Sequence, residues 1–408
     1  MRSLRSAIAA QFSGMPRIFW WLWSGALVSS LATFVFPFLA LYLMSRGFGA
    51  QRTGLLVALL GVGSLLAGPV SGTISDHFGR RPAVLIALIG SALAAAWLGV
   101  ARSVPMVAPG VMVFGLCSSM VYPVVNATVA DLMSPDETQR AYGLLYWAQN
   151  LGIGISAWLG GAIATRSWLL LFLLDAATTL VFAALVWRRV PETRPAPVAH
   201  ESGPRGWRSL LADRALIGFL AAMLVAELVF WQFLFALPIA MARDGLSAEQ
   251  FGRAVAANCL LIVLVQPWST RALQRFDSGS LLAAFALLLG AGFGAYAACR
   301  TAPQYLAATL VWSVGEVVGL PAASALVARL APADLRGRYQ GAFSLSMSAA
   351  MTIAPALGGF VIERLGMQAL WMGCLGVGLA VAVAQLALGA ARRRMPRSGS
   401  PGEPVVEG

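Results

Sequence analysis

Long apolar stretches alternate with short polar clusters along the whole chain, and this pattern predicts its elements. A run of about 20 apolar residues is long enough to cross a bilayer as a helix. Backbone groups in lipid must bond within their own segment, which favours helices, and the short alternating segments of a membrane barrel are absent. Breaks at charged and Gly/Pro clusters predict twelve helices, called spans 1 to 12: 18–45, 52–75, 82–101, 104–130, 139–165, 167–187, 215–242, 250–272, 279–299, 303–330, 337–362 and 367–391.

The longest polar connection divides the chain into two parts. Residues 188–214 are rich in Pro and Arg, which is typical of a linker. We therefore expect an N-terminal six-helix half at 1–187 and a C-terminal six-helix half at 215–391. Residues 392–408 have the composition of a disordered tail.

An internal repeat relates the two halves. When the sequence is shifted by 198 residues, Gly, Pro and Arg positions coincide over roughly 115 residues in one ungapped register. The matched pairs include Gly54 with Gly252, Pro69 with Pro267, Arg102 with Arg300, Pro123 with Pro321, Arg140 with Arg338, and 159–161 with 357–359. Such repeats place a substrate site between the halves, near the middle of the bilayer. The sequence thus predicts an all-α membrane protein of two pseudo-symmetric halves.

Charge fixes the expected orientation. The net charge is +12, and all 29 basic residues are Arg. If both termini are cytoplasmic, 21 Arg lie inside and 8 outside, which agrees with the positive-inside rule. We expect a multi-pass protein of the cell inner membrane. The Arg residues lie in short connections rather than on one basic face, so nucleic acid is not an expected partner.

Other chemistries find little support in the sequence. The four cysteines (Cys117, Cys259, Cys299 and Cys374) lie in apolar runs without a CxxC pair, and the two histidines are far apart. We expect no disulfide, no metal site and no cofactor. The sequence has no GxxxxGK[ST] phosphate loop and no Ser-His-Asp constellation, so neither ATP-driven transport nor an enzyme is expected.

Residues 72–81, GTISDHFGRR, form a charged cluster between spans 2 and 3. Gly72, Asp76, Gly79, Arg80 and Arg81 resemble the G-x-x-x-D-R-x-G-R-R loop of the major facilitator superfamily, in its drug:proton antiporter branch, with His77 in place of the usual Arg. The resemblance implies a gating loop that latches the two halves in one conformation. An alternative interpretation is that the cluster merely anchors the loop at the anionic membrane face.

A second resemblance lies in spans 5 and 11. Antiporters of this family show G-x-x-x-G-P-x-x-G-G in span 5, and this chain keeps Gly152, Gly160 and Gly161 but has Ser156 and Ala157 at the Gly-Pro positions. In span 11, Pro355, Gly358 and Gly359 complete a similar helix-packing motif. The Arg that the family carries in span 4 is Val111 here, so a mechanism that relies on that Arg does not transfer.

Three acids lie inside predicted spans: Asp175, Glu227 and Glu316. Ionisable residues in the membrane are costly and are functional candidates by default. Glu227 lies about 12 residues into span 7, roughly 18 Å along the helix axis, and Glu316 lies at a similar depth in span 10. The resemblance implies that spans 1, 4, 7 and 10 line a central cavity. Burial disfavours the charged form of a carboxyl group, so Glu227 and Glu316 are the candidates for proton coupling, whereas Asp175 in peripheral span 6 is interpreted as structural.

The possible substrate cavity is predicted from polar and aromatic side chains near those acids. Trp231 and Trp312 each lie four residues from a glutamate, on the same helix face, where an indole beside a carboxylate suits a lipophilic cation. The full set of cavity candidates is Tyr122, Asn126, Tyr146, Asn150, Trp231, Asn258 and Trp312. A purely structural role, as hydrogen bonds or packing between helices, is the alternative for both the acids and these side chains.

We therefore predict a secondary transporter that exports lipophilic, cationic small molecules in exchange for protons by alternating access. Its expected partners are that substrate, protons and the lipid bilayer, and we expect a monomer. A carrier of sugars or organic anions with the same fold is one alternative. A membrane sensor or scaffold without transport activity is the other.

Overall fold

The computed structural model describes residues 15–31, 33–132, 135–192, 210–273, 275–332 and 335–394. Within these ranges the chain is helical and contains no strand. Ten segments are each long and apolar enough to cross a membrane. Span 1 consists of two shorter apolar helices, and span 5 is a 30-residue helix that carries several polar side chains.

The helices follow the predicted order. Spans 1 to 6 are Arg17–Ser30 with Val35–Ser45, Ala50–Phe78, Arg80–Val100, Val104–Leu132, Pro135–Ala164 and Trp168–Arg189. Spans 7 to 12 are Arg214–Phe230 with Gln232–Arg243, Ala248–Leu273, Ser278–Ala295, Ala302–Leu330, Arg336–Arg364 and Met367–Arg394. A short 3-10 turn, Tyr296–Ala298, extends span 9. Span 5 begins four residues and span 11 one residue before the predicted position, within the uncertainty of sequence-based boundaries.

Two spans are discontinuous where the sequence predicted continuous helices. Span 1 is interrupted between Ser30 and Val35, and span 7 at Trp231. With the offset of 198, residues 31–34 correspond to 229–232, so the two interruptions occupy the same register of the repeat. Their shared position indicates a feature of the duplicated architecture, since broken helices in membrane carriers usually accompany an internal site.

The two halves have matching internal packing. In the first half, span 1 packs on spans 5 and 6, span 4 on spans 2 and 3, and span 3 on span 6. In the second half, span 7 packs on spans 11 and 12, span 10 on spans 8 and 9, and span 9 on span 12. The halves meet where span 2 packs on span 11, span 5 on span 8, and the second helix of span 1 on that of span 7.

Antiparallel spans define two sides of the bundle. The termini side carries the ends of spans 6 and 12 and the turn at Gly79, and the far side carries the turns at 46–49, 165–167, 244–247 and 365–366. Contacts between the halves are tight toward the far side. A Cβ atom on Gly359 of span 11 would lie 2.7 Å from the Ala50 carbonyl oxygen of span 2, and a Cβ atom on Gly161 would lie 2.6 Å from that of Ala248.

On the termini side, Cβ atoms placed on the corresponding glycines meet open space. A Cβ atom on Gly68 or Gly72 of span 2, Gly143 of span 5, or Gly341 of span 11 would meet no atom of the described residues within 4 Å. At the far side, the Glu363 carboxylate of span 11 also accepts a hydrogen bond of 3.0 Å from the Gln51 backbone N–H at the start of span 2. The described conformation is therefore closed at the far side and open at the termini side.

We predict that Gly359→Val separates spans 2 and 11 at the far side, because overpacking this contact costs about 1–3 kcal/mol. The measurement is labelling of a cysteine at position 51, in a cysteine-free background, by a membrane-impermeant maleimide, whose rate should rise several-fold. Gly341→Val is the matched control, because it lies on the same helix face in open space and should leave the rate unchanged. Equal rates in the two variants would contradict the packing argument.

Candidate functional site

The two candidate coupling acids of the second half are buried close to one another. Glu227 in span 7 is fully buried, and Glu316 in span 10 is 8 % exposed. Each is close enough to the other for their negative charges to repel. Among the ion pairs of the described residues, none involves either acid. Spans 7 and 10 thus each bury a carboxyl group that has no ion-pair partner among the described residues.

Their hydrogen bonding differs. Glu316 Oε2 accepts a bond of 2.9 Å from the Asn258 side-chain amide of span 8, and the same amide nitrogen lies 2.9 Å from the Ser313 hydroxyl oxygen. Both carboxyl oxygens of Glu227 are buried and have no partner among the described residues. A buried polar group without a partner is costly. Glu227 is therefore the group in this pair that most needs a proton or a ligand.

Aromatic side chains lie one helical turn from each of these acids. Trp231 lies at the interruption of span 7, and its ring forms an edge contact of 6.3 Å between centroids with Phe36 of span 1. Trp312 of span 10 is buried, packs on Phe230 and Phe233, and donates a 2.8 Å hydrogen bond to the Tyr296 hydroxyl. The indole N–H of Trp231 is buried without a partner in the described part of the chain. The sequence-predicted Trp pair thus joins one cluster that reaches across the seam between the halves.

The remaining cavity candidates are distributed over both halves. Asn258 contacts Glu316 directly, and Asn150 of span 5 is buried and bonds to the Tyr146 backbone carbonyl oxygen at 3.0 Å. Tyr146 is half-buried. Tyr122 and Asn126 belong to the helix of span 4, but their side chains lie outside the described residues.

A cavity lies in the first half, away from the two glutamates. It is lined by Ala26, Ser30, Thr33, Leu88, Ser91, Phe114, Ser118, Val121, Val125, Gln149, Asp175, Thr179 and Phe182. Asp175 Oδ2 accepts hydrogen bonds from the backbone N–H groups of Phe34 (2.9 Å) and Val35 (3.0 Å). These N–H groups begin the second helix of span 1, where a negative charge is favoured. Asp175 therefore caps the interruption.

The helix-packing motif places small residues at close contacts. Gly152 packs on Ser30 of span 1, Gly160 on Phe34 and Phe38, and Gly161 on Ala248 of span 8. In span 11, Gly359 contacts Ala50, Gly358 contacts the Gln232 side chain, and the Pro355 carbonyl faces Gly54 of span 2. Ala157, which departs from the family pattern, meets Gly252 of span 8 through its carbonyl group.

The cluster at 72–81 is stabilised by a residue that sequence reasoning missed. Gly79 has φ +100°, which favours glycine, and the turn leads directly into span 3. The Glu192 carboxylate accepts hydrogen bonds from the backbone N–H groups of Arg80 (2.7 Å) and Arg81 (3.2 Å), so it caps this helix. Its position among polar linker residues gave no signal of that contact.

The side chains of the cluster bond within the first half. Arg80 donates to the Ser75 hydroxyl at 2.6 Å and lies 3.5 Å from the exposed Asp76 carboxylate. Arg81 donates to the Trp187 backbone carbonyl of span 6. His77, at the position of the usual Arg, contacts the Thr73 carbonyl oxygen through Nδ1 at 2.9 Å. Gly72 lies one and a half turns earlier on an exposed surface.

Sequence reasoning also missed Gln232. This side chain donates to the Leu228 carbonyl (3.3 Å) and to the Ala354 carbonyl of span 11 (2.8 Å), both near the interruption of span 7. Its amide oxygen is buried without a partner among the described residues. The described residues contain no group of three His, Cys, Asp or Glu side chains arranged for a metal ion.

A duplicated twelve-span bundle with buried acids beside its seam defines a membrane transporter rather than an enzyme. The model of the Major Facilitator Superfamily matches residues 22–240 and 223–406, and the chain belongs to that family. Relatives include the "Na(+), Li(+), K(+)/H(+) antiporter" of Planococcus maritimus, 25% identical over 356 residues and covering 79% of this chain and 84% of that protein. Multidrug resistance protein MdtH of Salmonella arizonae is 24% identical over 333 residues, covering 81% of this chain and 82% of that protein.

Solved structures agree on the fold. The nucleoside transporter NupG, as its D323A mutant, superposes with a TM-score of 0.79 at 13% identity, covering 91% of this chain and 100% of that chain. The human organic anion transporter MFSD10 superposes with a TM-score of 0.68 at 20% identity, with the same coverage. At these identities the likeness concerns the fold alone.

The cap at Gly79 generates a stability prediction. A Cβ atom on Gly79 would lie 2.5 Å from the Glu192 carboxyl carbon, whereas one on Gly47, which also has a positive φ of 86°, would meet nothing within 4 Å. Both Gly→Ala changes strain the backbone by about 1–3 kcal/mol. Gly79→Ala should additionally displace Glu192, so its melting temperature in detergent should fall further than that of Gly47→Ala.

A double-mutant cycle separates the two costs of Gly79→Ala. In a Glu192→Ala background the carboxylate is gone, so Gly79→Ala should cost no more than Gly47→Ala does. If Gly79→Ala lowers the melting temperature equally with and without the Glu192 carboxylate, the contact between residues 79 and 192 does not contribute to stability.

Proposed function

We propose that this transporter exports lipophilic, cationic small molecules in exchange for protons, as a multidrug-type efflux carrier. The observation that carries the proposal is the Glu227–Glu316 pair, buried beside an aromatic cluster with no described cation between them. Such a pair is favourable only when a proton or a positively charged ligand neutralises it. A proton and a cationic substrate therefore compete for one site, which is the physical basis of exchange.

The aromatic cluster supports a lipophilic substrate. Trp231 and Phe36 come from different halves, so a ligand between them would contact both. An indole face attracts cations as well as apolar groups. In this conformation Glu227 is fully buried, so substrate and protons reach it only when spans 7 and 10 move apart from one another.

The two sides of the bundle support alternating access. Glycine contacts close the far side, and open space surrounds Gly72, Gly143 and Gly341 at the termini side. Rocking one half against the other would exchange these two arrangements around a central site. We infer that the termini side faces the cytoplasm of the inner membrane, because 21 of 29 Arg then lie inside. The described conformation is thus the one that would load substrate from the cytoplasm.

The names of two relatives also support export of cations in exchange for protons. The Salmonella protein is named a multidrug resistance protein, and the Planococcus protein is named an antiporter of cations and protons. A carrier of organic anions would need a basic group at the seam, and Val111 stands where the family has an Arg. The acids and aromatic rings therefore favour a cationic substrate over an anionic one.

We predict that Glu227→Gln and Glu316→Gln each abolish transport driven by a proton gradient. Glutamine keeps the size of the side chain but cannot gain or lose a proton in this role. The measurement is accumulation of ethidium, as a lipophilic cation, in everted membrane vesicles with an imposed pH gradient. Uptake should fall at least about tenfold, as is usual when an acid–base group is removed.

Glu249→Gln is the matched control for this experiment. Glu249 lies at the start of span 8, is partly exposed and pairs with Arg253 at 2.5 Å, so its loss should leave ethidium uptake intact. If gradient-driven uptake survives both Glu227→Gln and Glu316→Gln, the assignment of proton coupling to this pair is wrong. If wild-type vesicles move a sugar or an organic anion but not ethidium, the substrate class is wrong.

A further inference from the structure

The cavity of the first half is separate from the proposed coupling pair and has its own carboxylate. Its volume is about 170 Å³. Asp175, which is 3 % exposed, contributes the negative charge of its wall. The bonds from Phe34 and Val35 both go to Oδ2, so the second carboxyl oxygen, Oδ1, takes no part in capping span 1.

Three buried hydroxyl groups share this cavity wall with Asp175. Ser30, Ser91 and Thr179 are each at least nine-tenths buried and line the cavity. Within the described ranges, none of the three side chains makes a hydrogen bond to protein. None of their oxygens is among the fully buried atoms that lack a partner, so the three hydroxyl groups are open to the cavity. Their oxygens are therefore available to a ligand held by Asp175.

The size and chemistry of the wall select the ligand. A volume of 170 Å³ holds several waters, since one water needs at least about 10–15 Å³ of such space. Drug-sized ligands need about 300–1,000 Å³. Carboxylate and hydroxyl oxygens suit hard cations, and soft metals prefer sulfur or imidazole. One carboxylate balances one positive charge, whereas a divalent ion would leave an uncompensated charge inside the membrane.

The interruption of span 1 adds a second element of a cation site. The helix Arg17–Ser30 ends at the cavity. Its Leu27 and Ser30 carbonyls accept turn hydrogen bonds from the N–H groups of Leu31 (2.8 Å) and Thr33 (3.3 Å), and each carbonyl oxygen keeps a second lone pair. In carriers with discontinuous helices, such carbonyl ends coordinate small cations while the opposing helix N-terminus binds a negative group. Here Asp175 occupies the N-terminus, and the hydroxyl of Ser30 stands at the carbonyl end.

We propose that the first-half cavity binds a partly hydrated alkali-metal cation, held by Asp175 with oxygen ligands from Ser30, Ser91 and Thr179. The site is independent of the Glu227–Glu316 pair. An ion bound there fixes the interruption of span 1 to span 6 and completes the hydrogen bonding of the cavity wall.

The test is binding of radioactive sodium-22 to the purified full-length protein in detergent, with choline chloride keeping ionic strength constant. Wild type should bind sodium saturably, and lithium should compete while choline does not. Asp175→Asn keeps an acceptor oxygen for the N–H groups of Phe34 and Val35 but removes the charge. Binding should weaken about 10–100-fold, as expected when a key group of a metal site is lost.

Two further variants keep the proposal testable if Asp175→Asn does not fold. Ser91→Ala and Thr179→Val each remove one oxygen without touching the cap of span 1, and each should weaken sodium binding several-fold. Glu249→Gln is the distant control and should bind as wild type does. The proposal is overturned if sodium binding to wild type does not saturate. It is also overturned if Ser91→Ala and Thr179→Val bind sodium as strongly as wild type does.

The outcome is separable from the proposed function. Glu227→Gln and Glu316→Gln should bind sodium as wild type does, even where proton-driven ethidium uptake is lost. If these two variants lose sodium binding while Ser91→Ala and Thr179→Val retain it, the ion binds at the glutamate pair and the first-half cavity is not its site.

Discussion

The hydrocarbon layer requires every backbone polar group to find its partner within the protein, and the architecture follows from how this chain meets that requirement. Among the described residues, eleven spans meet it as uninterrupted helices or, in span 7, as a nearly continuous helix pair. The helix of span 1 is interrupted over four residues and that of span 7 at one residue, and both interruptions lie at the same register of the repeat. At each departure a side chain supplies the missing partner. Asp175 accepts from the freed N–H groups of span 1, and Gln232 donates to the Leu228 carbonyl of span 7.

These repairs connect the interruptions to neighbouring spans. Gln232 also donates to the Ala354 carbonyl, so the middle of span 7 is bonded to span 11 beside Pro355 and Gly358. Span 11 in turn carries the far-side contact between Gly359 and Ala50. A displacement of span 11 against span 2 would therefore also move the backbone at the interruption of span 7, four residues from Glu227. The packing links the closure of the far side to the surroundings of the buried acids.

Much of this architecture could be predicted from the sequence, because apolar length and Gly, Pro and Arg register are local signals. The twelve spans, the repeat and the acids inside spans 6, 7 and 10 follow from them. The interruption of span 1 could not be predicted, since residues 31–34 contain no proline or glycine there and Asp175 is 140 residues from Val35. The cap by Glu192 could not be predicted either, because Glu192 is 112 residues from Arg80. Spacing along a helix indicates which residues share a face, but not which distant side chain satisfies a given N–H group.

The two halves have kept their packing and diverged in their polar chemistry. In the repeat register, Glu316 corresponds to Ser118, Trp231 to Thr33 and Trp312 to Phe114. The second half has therefore placed its acids and indoles where the first half has hydroxyls and a phenyl ring. The first half has its acid on span 6 instead, where the corresponding residue of span 12 is Gly373. Because a buried carboxylate is costly, the acid of span 6 and the acids of spans 7 and 10 are not explained by packing alone. Asp175 accepts hydrogen bonds from backbone N–H groups, whereas Glu227 has no such donors among the described residues. The symmetric scaffold thus places buried carboxyl groups in two unlike surroundings, one with backbone donors and one with no described donor.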